Sequence, residues 1–113
     1  MEVNEIWKSE FLELLPNSKF IQEGGFNYVF IPEMKLPEGC NPKIVKAMLC
    51  ITPRDGYDSR LFLSEKVDGC PQRNWNSSIY IVDSTWHGIS WKTAPGLTYI
   101  EMLMVNLSAF KNE

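Results

Sequence analysis

The chain has 113 residues, a usual length for one domain, and an apolar fraction of 44% that can supply one hydrophobic core. It carries 11 basic and 14 acidic residues, for a net charge of -3, and its lysines are scattered along the sequence. This balance argues against the basic surface that nucleic acids or anionic membranes attract, so we expect a protein partner.

The sequence also bears on location and cofactors. It contains no run of about 20 apolar residues that could cross a membrane, and its first residues lack the basic and then apolar order of a signal peptide. Both observations predict a cytoplasmic protein. The cysteines, Cys40, Cys50 and Cys70, are far apart and form no Cys-x-x-Cys pair or zinc-type cluster. We therefore expect neither a disulfide framework nor a metal or other cofactor.

The chain is predicted to begin with a helix that leads into two strands. Apolar residues recur at helical spacing near the start, with Asn4 as a cap and residues 16–18 as a stop. These apolar residues are Trp7, Phe11, Leu14 and Leu15. In residues 20–31 aromatic and β-branched side chains dominate, and Gly24-Gly25 indicates a turn between two strands.

Two more strands are predicted in the middle of the chain. Residues 32–39 are rich in proline and glycine, which indicates a loop or a short irregular edge strand. Residues 43–51 alternate as a strand does, with Cys50 packing as a small hydrophobic residue. After a turn at residues 52–58, residues 60–66 give a fourth strand. The result is a four-stranded antiparallel meander.

The last third of the chain is less regular until its end. Residues 68–74 have the composition of a surface loop, and residues 78–82 can make one further short strand. Residues 83–95 contain two tryptophans, the histidine and several turn residues, and are predicted to be irregular.

The last predicted element is a helix from Thr98 to about Phe110. Thr98-x-x-Glu101 is a capping box, and four apolar residues follow on one stripe of the helix. These four are Ile100, Leu103, Leu107 and Phe110. The sequence therefore predicts one α+β domain over residues 1–113, with an N-terminal helix, a four-stranded antiparallel meander, an irregular segment and a C-terminal amphipathic helix.

Two residues are candidates for chemistry. Cys70 is the cysteine with a polar, loop-like context, and a neighbouring imidazole such as that of His87 would lower its pKa and make it a nucleophile. The alternatives are an exposed, unreactive thiol at Cys70 and a structural His87 that bonds a carbonyl group.

Four residues are candidates for binding. Trp86, Ser90 and Trp91 lie in an aromatic, polar and glycine-containing segment that suits the rim of a pocket. Trp75 lies among polar residues next to Arg73, which suits an interface anchor. The alternative for the tryptophans is that they fill space in a folded loop or are half-buried.

The order of elements and three short motifs resemble the ubiquitin-conjugating enzyme fold. Trp91-x-x-x-Pro95-Gly96-Leu97-Thr98 is similar to the tryptophan and proline that precede a helix after that family's active-site segment. Ile51-Thr52-Pro53-Arg54-Asp55-Gly56-Tyr57 is similar to its strand ending and tyrosine-containing turn. Leu36-Pro37-Glu38-Gly39 resembles a motif of a bacterial branch, prokaryotic family E. The resemblance implies a bacterial modification pathway with a ubiquitin-like protein and an activating enzyme as partners.

The chain departs from this family at the catalytic position. A conjugating enzyme accepts its modifier as a thioester on a cysteine that follows a His-Pro-Asn motif. Counting back from Trp91, that cysteine is expected near residues 80–83, which read Tyr-Ile-Val-Asp. The favoured hypothesis is a non-catalytic relative that binds a ubiquitin-like protein or its activating enzyme. The alternatives are an enzyme whose nucleophile has moved to Cys70, assisted by His87 or Asn74, and an unrelated small α+β interaction module.

Overall fold

The computed structural model describes residues 3–70 and 75–111, which form an α+β fold with one helix near each end and an antiparallel sheet between them. The helices are α1 (Glu5–Leu14) and α2 (Tyr99–Leu107), and a 3₁₀ turn (Ser108–Phe110) follows α2. The strands are β1 (Lys19–Glu23), β2 (Phe26–Lys35), β3 (Ile44–Cys50), β4 (Arg60–Leu63), β5 (Ser77–Ile81) and β6 (Ser84–Gly88).

The sheet has six strands in the order β1-β2-β3-β4-β6-β5, and every neighbouring pair is antiparallel. The predicted meander of four strands is therefore confirmed in β1 to β4, but the strand count was too low. The segment predicted to be irregular contains β6, which inserts between β4 and β5. The turn from β5 to β6 uses Val82 and Asp83 at φ of 47° and 61°, without the glycine that normally signals such a turn.

Strand β2 also runs further than the sequence indicated. Of the residues predicted to form a loop or a short irregular edge strand, 32–35 belong to β2, which continues to Lys35 through a register shift between Ile31 and Met34 that accommodates Pro32. A bulge of this kind allows a strand to carry a residue that has no backbone N–H to donate. The fourth strand was predicted over residues 60–66, which is too long, because β4 ends at Leu63.

Both helices begin at the predicted caps. The side chain of Asn4 accepts hydrogen bonds from the backbone N–H groups of Ile6 and Trp7, each at 3.0 Å. The Thr98 N–H donates to the Glu101 carboxylate at 2.8 Å, and the Glu101 N–H donates to the Thr98 hydroxyl at 3.3 Å, which confirms the capping box. Within the described residues, neither helix is long and apolar enough to span a bilayer.

The two helices cover one face of the sheet, which we call the helix face. Its core includes buried residues of both helices, namely Phe11, Tyr99, Leu103 and Leu107, with Phe110 of the 3₁₀ turn. The predicted stripe of α1 is wrong at Leu14, which is 64% exposed. The predicted stripe of α2 packs against this core, with Ile100 half-buried at its edge.

A second hydrophobic core lies on the other face of the sheet, which we call the inner face. Its buried residues are Tyr28, Met48, Cys50, Phe62, Ile81 and Trp86. The sheet curls around this core: the Val82 N–H donates to both carboxylate oxygens of Glu23, at 3.0 and 3.3 Å, and so joins the β5–β6 turn to the end of edge strand β1. The rings of Phe30 and Trp86 meet edge to face at 6.1 Å.

Candidate functional site

Cys70 is buried in the hydrophobic core on the helix face of the sheet, which we call the helix-side core. It is only 8% exposed, so the expectation of an exposed thiol is wrong. Two backbone hydrogen bonds between Asn41 and Asp68, at 2.7 and 2.9 Å, bring the two cysteine-containing segments together. Burial, followed by the neighbouring Cys70 thiol, raises the pKa of Cys40 to about 12. The surroundings of the Cys40 thiol therefore oppose thiolate formation.

His87 is not hydrogen-bonded to Cys70. It lies on β6 opposite Leu63, and its Nδ1 is 3.2 Å from the hydroxyl oxygen of Ser78 on β5. Cys70 instead neighbours the Cys40 thiol in the hydrophobic core. Asn74, the other residue considered as an assistant, lies outside the described residues. The structure thus gives Cys70 no imidazole partner.

Two of the four candidate binding residues pack against the C-terminal elements. Trp75 is half-buried, with its ring 6.1 Å from that of Phe110. Trp91 is also half-buried, and its indole N–H donates to the backbone carbonyl of Val105 at 3.0 Å. Both residues belong to the edge of the helix-side core.

The other two candidates lie elsewhere. Trp86 is buried on the inner face, where its indole N–H donates to the backbone carbonyl of Ile81 at 3.1 Å. Ser90 is exposed, and its hydroxyl oxygen is 3.0 Å from the hydroxyl oxygen of Tyr57. The four residues therefore do not form one site. Trp86 alone among them lines a cleft on the inner face.

This cleft, which we call the inner cleft, opens on the inner face and has a volume of about 300 Å³. Five apolar residues and three polar residues line it: Ile21, Phe30, Met48, Val82 and Trp86, with Lys19, Lys46 and Ser84. The lining comes from four strands and the β5–β6 turn. A mostly apolar wall with a few polar groups is the usual composition of a binding site.

The register of the sheet explains why these residues meet. Lys19 pairs with Phe30, and Phe30 pairs with Met48. Residues directly opposite each other in neighbouring strands point to the same face, so the three side chains form one row on the inner face. Because the sheet is curled, Trp86 closes over this row from β6. The sequence could not reveal the row, since its members become neighbours only through strand pairing.

Charged groups of both signs lie at the edge of the inner cleft: Lys19 and Lys46 line it, and the Glu23 carboxylate accepts the N–H of Val82, another lining residue. Both lysines are exposed, and neither makes an ion pair or a side-chain hydrogen bond with any of the described residues. The protein as a whole has an excess of acidic residues. The inner cleft therefore has mostly apolar walls and charged side chains at its edge.

A second polar feature surrounds Arg60, which is only 3% exposed at the start of β4. Its Nη2 donates to the Asn76 side-chain oxygen at 2.6 Å and to the Ile89 carbonyl at 3.1 Å, while Nη1 lies 3.8 Å from the Asp55 carboxylate. Its Nε has no hydrogen-bond partner among the described residues. Burial lowers the pKa of Arg60 from its usual value.

The Tyr57 ring covers the Arg60 guanidinium, with 4.4 Å from its central carbon to the ring centroid. Hydrogen bonds to Ser90 and Asn76, and then the charges of Arg60 and Lys92, lower the pKa of Tyr57. These contacts tie the turn before β4 to the segment before α2. We therefore assign the Arg60 cluster a structural role in holding that segment.

A metal site is not evident in the described part of the chain, which contains no group of three or more histidine, cysteine, aspartate or glutamate residues placed to hold an ion. Comparison of the chain with protein-family models, with curated proteins and with solved structures gives no match. The chemistry of the inner cleft is thus the main structural guide to function.

Proposed function

We propose that this chain is a non-catalytic relative of ubiquitin-conjugating enzymes that works in the cytoplasm of a bacterium and binds a ubiquitin-like protein or its activating enzyme. The motif resemblance supports the family, and the arrangement of helix, antiparallel sheet and capped C-terminal helix is compatible with it. One observation carries the non-catalytic part of the proposal: each of the three thiols is buried.

Thioester formation needs an accessible thiolate. Cys40, Cys50 and Cys70 all lie in hydrophobic cores, and burial raises the pKa of the first two. Reactive cysteines instead occupy electropositive and partly exposed surroundings. Residues 80–83, where the resemblance predicts the nucleophile, form the end of β5 and its turn and carry no cysteine.

The inner cleft supports the binding part of the proposal. It is lined by Val82 and Ser84, so it adjoins the segment where a conjugating enzyme would hold its modifier. The Val82 side chain is 53% exposed beside it, and an exposed apolar residue next to an apolar cleft is typical of an interaction surface. A relative without the nucleophile can still use such a surface to bind the partner protein non-covalently.

Binding can be tested by calorimetry with the ubiquitin-like protein and the activating enzyme encoded by neighbouring genes. Ser84→Tyr places a ring in the inner cleft and is expected to weaken binding of one of these partners at least ten-fold. Thr85→Tyr is the matched control, because Thr85 is exposed on the same strand but alternates to the other face. Absence of binding by either partner, or equal losses in both variants, contradicts the proposal.

The relocated nucleophile at Cys70 needs a separate test. The protein is incubated with the activating enzyme, ATP and the ubiquitin-like protein, and its intact mass is measured before and after thiol treatment. We expect no thiol-sensitive adduct on the wild-type protein. An adduct that persists in Cys40→Ser and disappears in Cys70→Ser would establish the enzyme and refute the non-catalytic proposal.

A further inference from the structure

We propose that two copies of this chain pair through the β5 edge, the side of strand Ser77–Ile81 that faces away from β6. The two β5 strands run antiparallel, and a two-fold axis passes between the two copies of Ile79. This pairing joins the two six-stranded sheets into one continuous sheet. No residue of β5 lines the inner cleft, so self-association is independent of the proposed function.

Strand β5 is the last strand in the sheet order, so its two sides differ. One side pairs with β6 along its whole length, from Ser77 opposite Gly88 to Ile81 opposite Ser84. The other side pairs with none of the strands in the described part of the chain. A row of backbone N–H and C=O groups at an open sheet edge is a template for a strand of another chain. The β5 edge therefore offers donors and acceptors to a partner strand.

The turn from β5 to β6 determines which backbone groups point outward. It has two residues, so the closing pair Ile81 and Ser84 exchanges backbone hydrogen bonds, and such pairs alternate along an antiparallel ladder. The odd-numbered residues of β5 therefore direct their backbone groups to β6. Ser78 and Tyr80 direct theirs to the open edge. The N–H of Val82 points outward in the same alternation, where a carboxylate accepts it.

This alternation selects one two-fold register. When Ile79 lies opposite the second copy's Ile79, Ser78 of each copy lies opposite Tyr80 of the other. Each of these pairs exchanges both of its backbone hydrogen bonds, so every outward group of the two residues gains a partner. Moving the axis to Tyr80 would place Ser78 opposite Val82, whose N–H already bonds the Glu23 carboxylate. The register centred on Ile79 is therefore the best satisfied.

The side chains of β5 suit a second copy as the occupant. Residues 77–82 carry no charge, so two copies meet at this edge without like-charge repulsion, although each chain has a net charge of -3. Tyr80 is 69% exposed and covers the small Ser78 side chain of the second copy, while the half-buried Ile79 gains an apolar neighbour. An uncharged segment that is rich in β-forming residues and lacks proline is typical of strands that pair with their own kind.

The opposite edge of the sheet has protection that β5 lacks. Strand β1 begins at Lys19 and ends at Glu23, and both residues are exposed. Between them, the Lys8 ammonium of α1 lies over the Phe20 ring, 5.5 Å from its centroid. Charged side chains on an edge strand commonly prevent pairing with another chain. The sheet therefore has one edge that disfavours self-association and one edge that permits it.

Sedimentation velocity of the full chain tests the self-association. At about 0.5 mM, where weak interfaces are populated, we expect a species of twice the 13.0 kDa chain mass that dissociates on dilution. Ser78→Lys/Tyr80→Lys places lysines opposite each other and is expected to weaken association at least ten-fold. Thr85→Lys is the matched control, because Thr85 is exposed opposite Tyr80 but lies on β6, away from the edge. It should leave association unchanged.

Charge complementation tests the register. Ser78→Glu/Tyr80→Glu is expected to be monomeric by itself. Mixed with the lysine variant, it should form a heterodimer at least as tight as the wild-type dimer, because each lysine then faces a glutamate. Native mass spectrometry identifies the heterodimer, and circular dichroism confirms that each variant is folded.

Crosslinking gives a second test of the register. Ile79→Cys should form a disulfide-linked dimer when copper phenanthroline and oxygen oxidise the two thiols, because the two copies of residue 79 face each other across the axis. Thr85→Cys and the wild-type chain, whose own thiols are buried, should not crosslink.

Each of these tests has an outcome that would overturn the inference. A wild-type chain that is monomeric at about 0.5 mM would do so. A dimer that Ser78→Lys/Tyr80→Lys weakens no more than Thr85→Lys does would place the contact elsewhere. Folded charge variants that do not combine would exclude the register. Ile79→Cys does not depend on the folding of the charged variants, so its failure to crosslink would be decisive by itself.

Discussion

The reactivity of single residues in this protein is governed by burial. Cys70 has a polar neighbourhood in the sequence, but the hydrogen-bonded segments at Asn41 and Asp68 carry it into the helix-side core beside Cys40. The pairing of two distant segments therefore outweighs the local composition.

Stability should fall as the pH rises above about 9. An unfolded Cys40 loses its proton near its usual pKa of 9.0, whereas the folded thiol keeps it to about 12. The stabilisation from this group is therefore complete below pH 9 and is lost between these two values. Urea midpoints at pH 8, 9 and 10 should decrease, and Cys40→Ala should show a smaller decrease. Identical slopes for both proteins would contradict the assigned burial.

Gly88 lies where an added side chain would clash with the core on the inner face. A Cβ added there would lie 2.8 Å from two ring carbons of Phe62, which is fully buried. Gly88→Ala is therefore expected to reduce the free energy of unfolding by about 1–3 kcal/mol, the usual effect of overpacking. Ser84→Ala on the same strand is the control and should change it by less than about 0.5 kcal/mol. A neutral Gly88→Ala would show that the ring can move aside.

At the scale of elements, local motifs explain which parts the sequence could predict. The caps at Asn4 and Thr98 involve neighbours in the chain, so both helix starts were predicted correctly. The β5–β6 hairpin was missed because its turn uses Val82-Asp83 in place of a glycine-containing pair. The inner cleft was missed because strand pairing assembles it from distant residues.

Substitution of the two residues of the Val82-Asp83 turn is expected to stabilise the protein. A β-branched residue at φ of 47° is strained, while Asn-Gly is preferred in turns with two positive φ values. Replacing both residues by Asn-Gly is expected to raise the free energy of unfolding by about 1 kcal/mol or more. The backbone N–H that bonds Glu23 is kept. Since the Val82 side chain lines the cleft, the same variant should bind the partner less tightly. A loss of stability would contradict the assigned strain.

At the scale of the whole molecule, the curl of the sheet creates the inner cleft. The contact of Glu23 with the Val82 N–H joins the two ends of the strand order, and Phe30 and Trp86 meet beneath it. Glu23→Ala is expected to speed hydrogen exchange at the Val82 amide at least ten-fold and to leave the Leu49 amide in β3 unchanged. Unchanged exchange at Val82 would show that this contact does not hold the edges together.

Our central proposal is that this protein recognises a partner through the inner cleft and forms no covalent bond to it. The most direct measurement is an NMR titration of the ¹⁵N-labelled chain with the ubiquitin-like protein or the activating enzyme that we propose as its partner. We predict reversible shifts at Ile21, Phe30, Ser84 and the Trp86 indole N–H, with α1 and α2 unaffected. Shifts confined to the segment around Cys70, or none with either partner, would contradict the account.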